Sequence, residues 1–526
     1  MTVITEWINV AAAGHGSAVY LEDGASTRTL TYAGLRQAAG AWKAYLDRAG
    51  VPAGAAVALR LPDPLDYATA LVGIIGAGRV VVPLDPSAPG SDLERMLAVA
   101  NPQVVVGGSG NDLRPGLTVI SPPDPLATDS ALPSGLTASG GIFLCTSGTT
   151  GTPKGILLRD SQLAHVAAAV AVHHRLKPSD RGYCCLPLFH INAEVVGLLG
   201  TLAAGACLVL ERKFSRRGFW PLIESRRITW INAVPAIITV LAMDPAGSFR
   251  AAGRVRFVRS ASAPLAPSVL ERFEASFGIP VVETYGMTEA ASMITANPLE
   301  GPRKAGSVGQ AAGTQVRVVP LAVAPGGSGA EPEAADGLGS GDGLGSGDRL
   351  GSGDRLGSAD GLGLAGKANV VGRVQIRGRG VITQYAANGR PGAIDPDGWL
   401  DTGDLGYLDQ DGFLFLAGRS DDVINRGGEK IYPREIEDFL LAQDGVSSAA
   451  VVAAHDEVLG ERPVAYVVPA GPWRPDELEN TLRAACEMGL PRPKRPSSFS
   501  IVPDLPLGPT GKIARRRLKE LAMTPG

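Results

Sequence analysis

The run Cys145-Thr146-Ser147-Gly148-Thr149-Thr150-Gly151-Thr152-Pro153-Lys154-Gly155 is the densest concentration of reactive chemistry in the chain. Glycines alternate with hydroxyl side chains, and a lysine closes the run. Glycine lets backbone approach a ligand closely, and successive N–H groups can then form an anion nest. Thr146, Ser147, Thr149 and Thr150 add hydroxyl donors and Lys154 adds a positive charge. Such a loop is built for phosphate. It is not a Walker A loop, whose lysine directly follows a glycine and precedes Ser or Thr. Here Lys154 lies six residues beyond Gly148 and is followed by Gly155.

CTSGTTGTPKG resembles the signature loop of the adenylate-forming superfamily, which includes acyl-CoA synthetases, peptide-synthetase adenylation domains and luciferases. Further motifs follow in the family's order and span almost the whole chain. The resemblance implies a large N-terminal domain and a small rotating C-terminal domain. In TYGMTE (284–289) it implies that Tyr285 stacks on adenine, Thr288 contacts the α-phosphate and Glu289 helps to hold Mg²⁺, with Glu283 and Gly286 in the same nucleotide site. The residue types agree, since an aromatic face suits a base and a carboxylate suits Mg²⁺ beside phosphates. SASAPL (260–265), with Ser260, Ser262 and Ala263, resembles the loop lining adenine and the acyl pocket. DTGD (401–404) supplies Asp404 for the ribose hydroxyls, which a carboxylate can accept. Arg419 is expected on ribose or phosphate and Asp421 at the inter-domain pivot. Gly427, Gly428 and Lys430 stand where relatives form the pantetheine tunnel. Lys512, in PTGKIARRRL (509–518), is expected to bridge the acid and the α-phosphate, offsetting charge as a carboxylate meets a polyanion.

The implied reaction is ATP-dependent activation of an acid through an acyl-adenylate, with release of pyrophosphate and transfer to coenzyme A. LPLFHINAE (186–194) resembles the acyl-pocket segment of coumarate–CoA and acyl-CoA ligases, placing His190 at the pocket. Amino-acid-activating relatives carry an Asp after the Phe, so His190 disfavours an α-amino acid. The nearest pattern is the oxalate–CoA ligase branch. Asn192 and Ser292 replace two of its histidines, which points away from oxalate to another small or aryl carboxylate. Two other readings of the same motifs remain: adenylation of an acid or nitrite with an amine acceptor, and a non-catalytic adenylate-binding protein.

These residues need positioning elements. The 526 residues are 45% hydrophobic and carry a formal charge of −3. That supports a sizeable core and excludes a wholly disordered chain. It offers no electrostatic case for nucleic acid or a membrane surface. The expected partners are therefore small molecules, with the chain a monomer or homodimer. Five cysteines, with no CxxC pair, fit a reducing cytoplasm. Residues 32–48 carry an apolar stripe at Leu35, Ala38, Ala39, Trp42 and Leu46, which predicts an amphipathic helix. Apolar runs at 55–61, 79–85, 102–108, 207–210, 228–234, 256–262 and 280–285 predict buried strands. With helices between them, they argue for parallel sheets covered on both faces. The apolar stretch 68–84 contains Arg79 and reads as helix then strand, not a membrane span.

Glycine (68) and proline (40) make up about a fifth of the chain, above the usual ~12%. Part of that excess is a hexad repeat at 326–366, with Asp at 336, 342, 348, 354 and 360. One apolar residue per unit cannot offset chain entropy, so a flexible insertion is expected. The fold class is therefore α/β. A large N-terminal domain (1–419) comprises two α/β subdomains and a small β-rich unit. A small mobile α+β C-terminal domain (420–526) follows.

Overall fold

The computed structural model describes residues 3–108, 118–123, 140–147, 153–243, 254–321, 369–389, 391–507 and 513–523. The amphipathic stripe forms the helix Tyr32–Arg48, capped by Thr31, whose side chain accepts from Gly34 N. The apolar stretch splits as expected into the helix Pro64–Gly76 and the strand Val80–Pro83. Asp63 stops that helix at its N-terminus by accepting from Leu65 N and Asp66 N. Arg79 is buried but paired, with Asp47, Val51 O and Ala77 O around its guanidinium. Among the described residues no helix is long and apolar enough to cross a membrane.

Two large sheets carry the N-terminal domain. The six-stranded sheet runs Thr118–Ile120, Val104–Val106, Ala56–Leu59, Val80–Pro83, Gly141–Ser147, Pro153–Arg159. All its pairs are parallel except the last, an antiparallel hairpin with Ser147 opposite Pro153. The nine-stranded sheet has a parallel centre ordered Val281–Tyr285, Phe257–Ser260, Trp230–Ala233, Arg181–Cys184, Cys207–Leu210, Val19–Asp23. Its outermost strands are antiparallel, so the all-parallel expectation holds only for the interior. Those edge strands, such as Thr29–Thr31 and Thr295–Ala296, are two or three residues long. Short hairpins of that kind leave little unpaired edge.

A four-stranded antiparallel sheet (Gln315–Pro320, Gly372–Arg377, Leu400–Leu408, Leu414–Arg419) is the β-rich unit. Its first hairpin closes with Pro320 opposite Gly372. The strand ends that flank the repeat are therefore adjacent, and the repeat at 326–366 itself lies outside the described residues. After the turn Ser420–Asp422 comes a five-stranded sheet with its own core of Ile424, Ile431, Ile436, Leu440, Val451, Val467, Leu478 and Leu482. The helix Pro433–Leu441 docks this C-terminal domain onto the larger one. Arg434 donates to Leu416 O at 3.2 Å, and Ser268 donates to Leu441 O at 3.3 Å.

Six cross-strand pairs from Gln315 to Pro320 define the hairpin register. Loop-closure entropy grows only with the logarithm of length, so removing residues 330–362 from this connection changes it by only about 1 kcal/mol. Deleting 330–362 is therefore expected to move the melting temperature by less than about 4 °C and to leave ATP-dependent pyrophosphate release nearly intact. A large loss of turnover in the shortened chain would contradict this.

Candidate active site

The strand Val281–Tyr285 ends the parallel core, and the chain then folds back sharply. Ser292 N donates to Met287 O, and Ile294 N to Tyr285 O. Gly286 makes this possible: a Cβ there would sit 1.3 Å from Ser292 O. The fold-back requires positive φ at Ala291 (50°) and Ser292 (98°). Strain of that kind persists only where surrounding structure holds it. Thr288 lies in the ensuing turn, and Glu289 is buried in it.

Two clusters form around this turn. In the first, the Tyr285 hydroxyl donates to Asp404, and Arg419 donates to the other carboxylate oxygen at 3.1 Å and to Thr402 O. Asp404 and Arg419 face each other across adjacent strands. Burial and the neighbouring Asp404 push the Tyr285 hydroxyl well above its ordinary pKa, so it remains a donor. Burial works against the Arg419 charge, but Asp404 outweighs it and Arg419 ends above its ordinary value. In the second cluster the Tyr385 hydroxyl donates to Glu289 Oε1 at 3.1 Å, and Lys154 Nζ sits 5.7 Å from the Tyr385 ring centre. Asn388 donates to Pro153 O, and Gly155 exchanges backbone bonds with Ala387. Tyr385 thus joins the end of the signature loop to Glu289. Gly148, Thr149, Thr150 and Lys512 lie outside the described residues, as do the side chains of Thr146 and Ser147.

The expected acid-pocket residues separate into groups. Asn192 begins a π-helical stretch, Asn192–Leu199, which the sequence pattern did not reveal. It donates to Ser262 Oγ at 3.2 Å and accepts from Arg259 Nη1 at 2.7 Å and Asn232 Nδ2 at 3.3 Å. Ser262, at φ 76°, and Ala263 are exposed on the loop after this strand. Ser260 is fully buried, and its Oγ has no partner among the described residues. His190 sits half-buried two residues before Asn192, its ring 4.6 Å from that of Phe189. Ser292 belongs instead to the fold-back beside Gly286. Glu283 is buried, accepts from Leu265 N at 3.3 Å and faces Arg434 of the C-terminal domain. Burial pushes its carboxyl up to about 7, with Arg434 pulling the other way.

On the C-terminal side, Gly427 (φ 59°) and Gly428 (φ 90°) form the two-residue turn of an exposed hairpin. Both central residues need positive φ, which glycine adopts without penalty. Lys430 follows on the exposed return strand. Asp421 lies in the inter-domain turn, where Lys519 donates to its carbonyl and also pairs with Asp422 at 2.8 Å. Arg259, Asn232 and Tyr385 escaped the sequence reading. An arginine inside the buried strand RFVRS was the available signal.

Residues 8–329 match the AMP-binding enzyme family model, and residues 435–512 match the AMP-binding enzyme C-terminal domain. The chain belongs to the AMP-binding enzyme family. It is 36% identical to a sulfoacetate–CoA ligase of Cupriavidus necator, over 97% of this chain and 96% of that protein. It is 32% identical to an oxalate–CoA ligase of Arabidopsis thaliana, over 89% and 88%. ATP-bound MatB from Rhodopseudomonas palustris superposes with a TM-score of 0.81 at 25% identity, covering 98% of both chains. This AMP-binding enzyme is an ATP-dependent, AMP-forming ligase using ATP, Mg²⁺ and coenzyme A. Among the described residues no group of three or more His, Cys, Asp or Glu could hold a metal. The buried Glu289 carboxylate fits Mg²⁺ nonetheless, because that ion takes one or two carboxylates and completes its shell with water and phosphate.

Asp404→Asn leaves the Tyr285 hydroxyl and Arg419 facing an amide. AMP affinity by isothermal titration is expected to fall at least ~30-fold, about 2 kcal/mol. Glu283 gives a pH signature. Its folded pKa of about 7 lies above the ordinary carboxylate value, so the folded state holds the extra proton. Stability from this group is present at low pH and is lost as pH rises from the unfolded value through about 7. Thermal melts should show Glu283→Gln gaining stability relative to the parent between pH 5 and pH 8. A constant difference across that range would contradict it.

Proposed function

We propose that this enzyme converts a small polar acid to its CoA thioester through an acyl-adenylate. The observation that supports this most is the convergence on one fold-back of Tyr285, Asp404 and Arg419 with Glu289, Tyr385 and Lys154. The Tyr285 face takes the adenine, Asp404 accepts from the ribose hydroxyls, and Thr288 contacts the α-phosphate. Glu289 would hold Mg²⁺, which neutralises phosphate charge when bound. A carboxylate oxygen attacks the α-phosphorus, the bond to the β-phosphate bridging oxygen breaks, and pyrophosphate leaves. Lys512 offsets the charge that accumulates as the two anions meet.

In the second half-reaction the thiol of coenzyme A attacks the acyl carbon and AMP leaves with the former carboxylate oxygen. The C-terminal domain turns about Asp421 between the steps, replacing Lys512 with the Gly427–Lys430 hairpin. The exposed hairpin tip and the charged turn at Ser420–Asp422 suit that motion. A small polar acid suits the hydrogen-bonded network of Asn192, Asn232, Arg259 and Ser262, which meets the loop expected to border the acyl site. The two named CoA-ligase relatives carry sulfoacetate and oxalate in their names, and each of those acids bears two acidic groups. All five cysteines are free, and four are buried, which suits a reducing compartment.

Lys512→Ala is expected to lower acid-dependent pyrophosphate release at least ~100-fold, while thioester formation from a supplied acyl-adenylate and CoA falls far less. Unchanged pyrophosphate release would sink this mechanism. Screening carboxylic acids with and without CoA identifies both substrates.

A further inference from the structure

Arg259 is a cation in an unusual place. It lies on the central strand Phe257–Ser260 and is 1% exposed. Nη1 donates to Asn192 Oδ1 at 2.7 Å and to Asn232 Oδ1 at 3.1 Å. Nε has no partner among the described residues. Every partner is therefore a neutral amide. The titratable groups that sense its charge include His173, His174 and the buried Cys184 thiol, none of them a carboxylate. Other buried arginines in this protein have carboxylates: Arg79 pairs with Asp47, and Arg434 with Asp438. A buried charge without a counter-charge is costly, and burial pulls Arg259 down to about 9.

The network also has a direction. It runs from exposed Ser262, through Asn192 at 7% exposure, to the fully buried guanidinium. Asn192 accepts from Arg259 and Asn232, which turns its NH₂ group outward toward Ser262. This line of donors starts at the loop expected to border the acyl site and ends on an uncompensated positive charge. The reacting carboxylate belongs at the α-phosphate, beside Thr288 on the next strand's fold-back, not on this guanidinium. A guanidinium gripping the nucleophilic oxygen would also withdraw the electron density that attacks phosphorus.

We propose that Arg259, oriented by Asn192 and Asn232, recognises a second anionic group on the acid, so that the enzyme selects small acids bearing a carboxylate or sulfonate in addition to the carboxylate that is adenylated. This rests on the acid–CoA ligase reading above. Arginine presents a planar fork suited to carboxylate or sulfonate oxygens, and the missing counter-charge arrives with the substrate. A site whose buried donors await a partner rejects molecules lacking it more strongly than an apolar pocket rejects a wrong shape.

The test compares pyrophosphate release by the full-length enzyme with sulfoacetate and malonate against acetate and propionate. The parent enzyme is expected to prefer the two-headed acids at least ~100-fold in kcat/KM. In Arg259→Gln that preference should collapse at least ~30-fold, mainly through KM for the acid, with KM for ATP within about twofold. Arg259→Lys keeps the charge and loses the fork; it should fall between the two, and it carries the test if the Gln variant does not fold. AMP titration verifies an intact nucleotide site in each. Equal losses for one-headed and two-headed acids would assign Arg259 to structure alone and overturn the inference, as would an unchanged preference in the Lys variant alongside the Gln variant. Parent turnover without any preference would overturn the inference and leave the ligase reading standing. No turnover with any acid in a wider carboxylate screen would overturn both.

Discussion

The hydrogen bond from the Tyr285 hydroxyl to Asp404 ties the molecule together. Tyr285 ends the parallel core of the nine-stranded sheet, and Asp404 lies in the four-stranded sheet, opposite Arg419. Backbone bonds from Val308 N to Leu414 O and from Leu414 N to Gly309 O also join the two sheets, and the Tyr285 bond adds the link at the corner that carries the aromatic ring. With it, the aromatic face, the carboxylate and the arginine hold one relative geometry. Arg419 is also the last residue before the turn Ser420–Asp422. The cluster proposed to hold the nucleotide thus adjoins the point where the C-terminal domain departs.

A second coupling crosses the domains from the opposite side. Glu283, two residues before Tyr285, binds Leu265 N in the loop that begins with Ser260 and looks across to Arg434. Arg434 in turn reaches Leu416 O, beside the Arg419 strand end. On the far side of the turn Lys519 and Arg515 both pair with Asp422, which binds the last helix, Arg515–Met523, to the base of its own domain. The small domain is therefore gripped at its root while its hairpin at Gly427–Gly428 stays exposed.

Legibility in the sequence followed the physics of each segment. Tyr32–Arg48 and Cys207–Leu210 declared themselves because their apolar spacing matches the element they form. The π-helical stretch Asn192–Leu199 did not, since it is buried on every side and carries no polar stripe to give a period. The motifs bearing Tyr285, Glu289, Asp404 and Arg419 were readable because each is a compact string. Tyr385 was not, because its role comes from packing between Lys154 and Glu289, far away in the chain. Arg259 was visible as a letter, but its isolation from any acid exists only in three dimensions.

The closure of one hairpin by Pro320 opposite Gly372 has a topological consequence. Six consecutive cross-strand pairs hold the two strands together up to that point. The connection is thus a place where the chain could be cut while the order of strands in space stayed the same. A polypeptide that is continuous in sequence is, at this one point, two segments that assemble side by side.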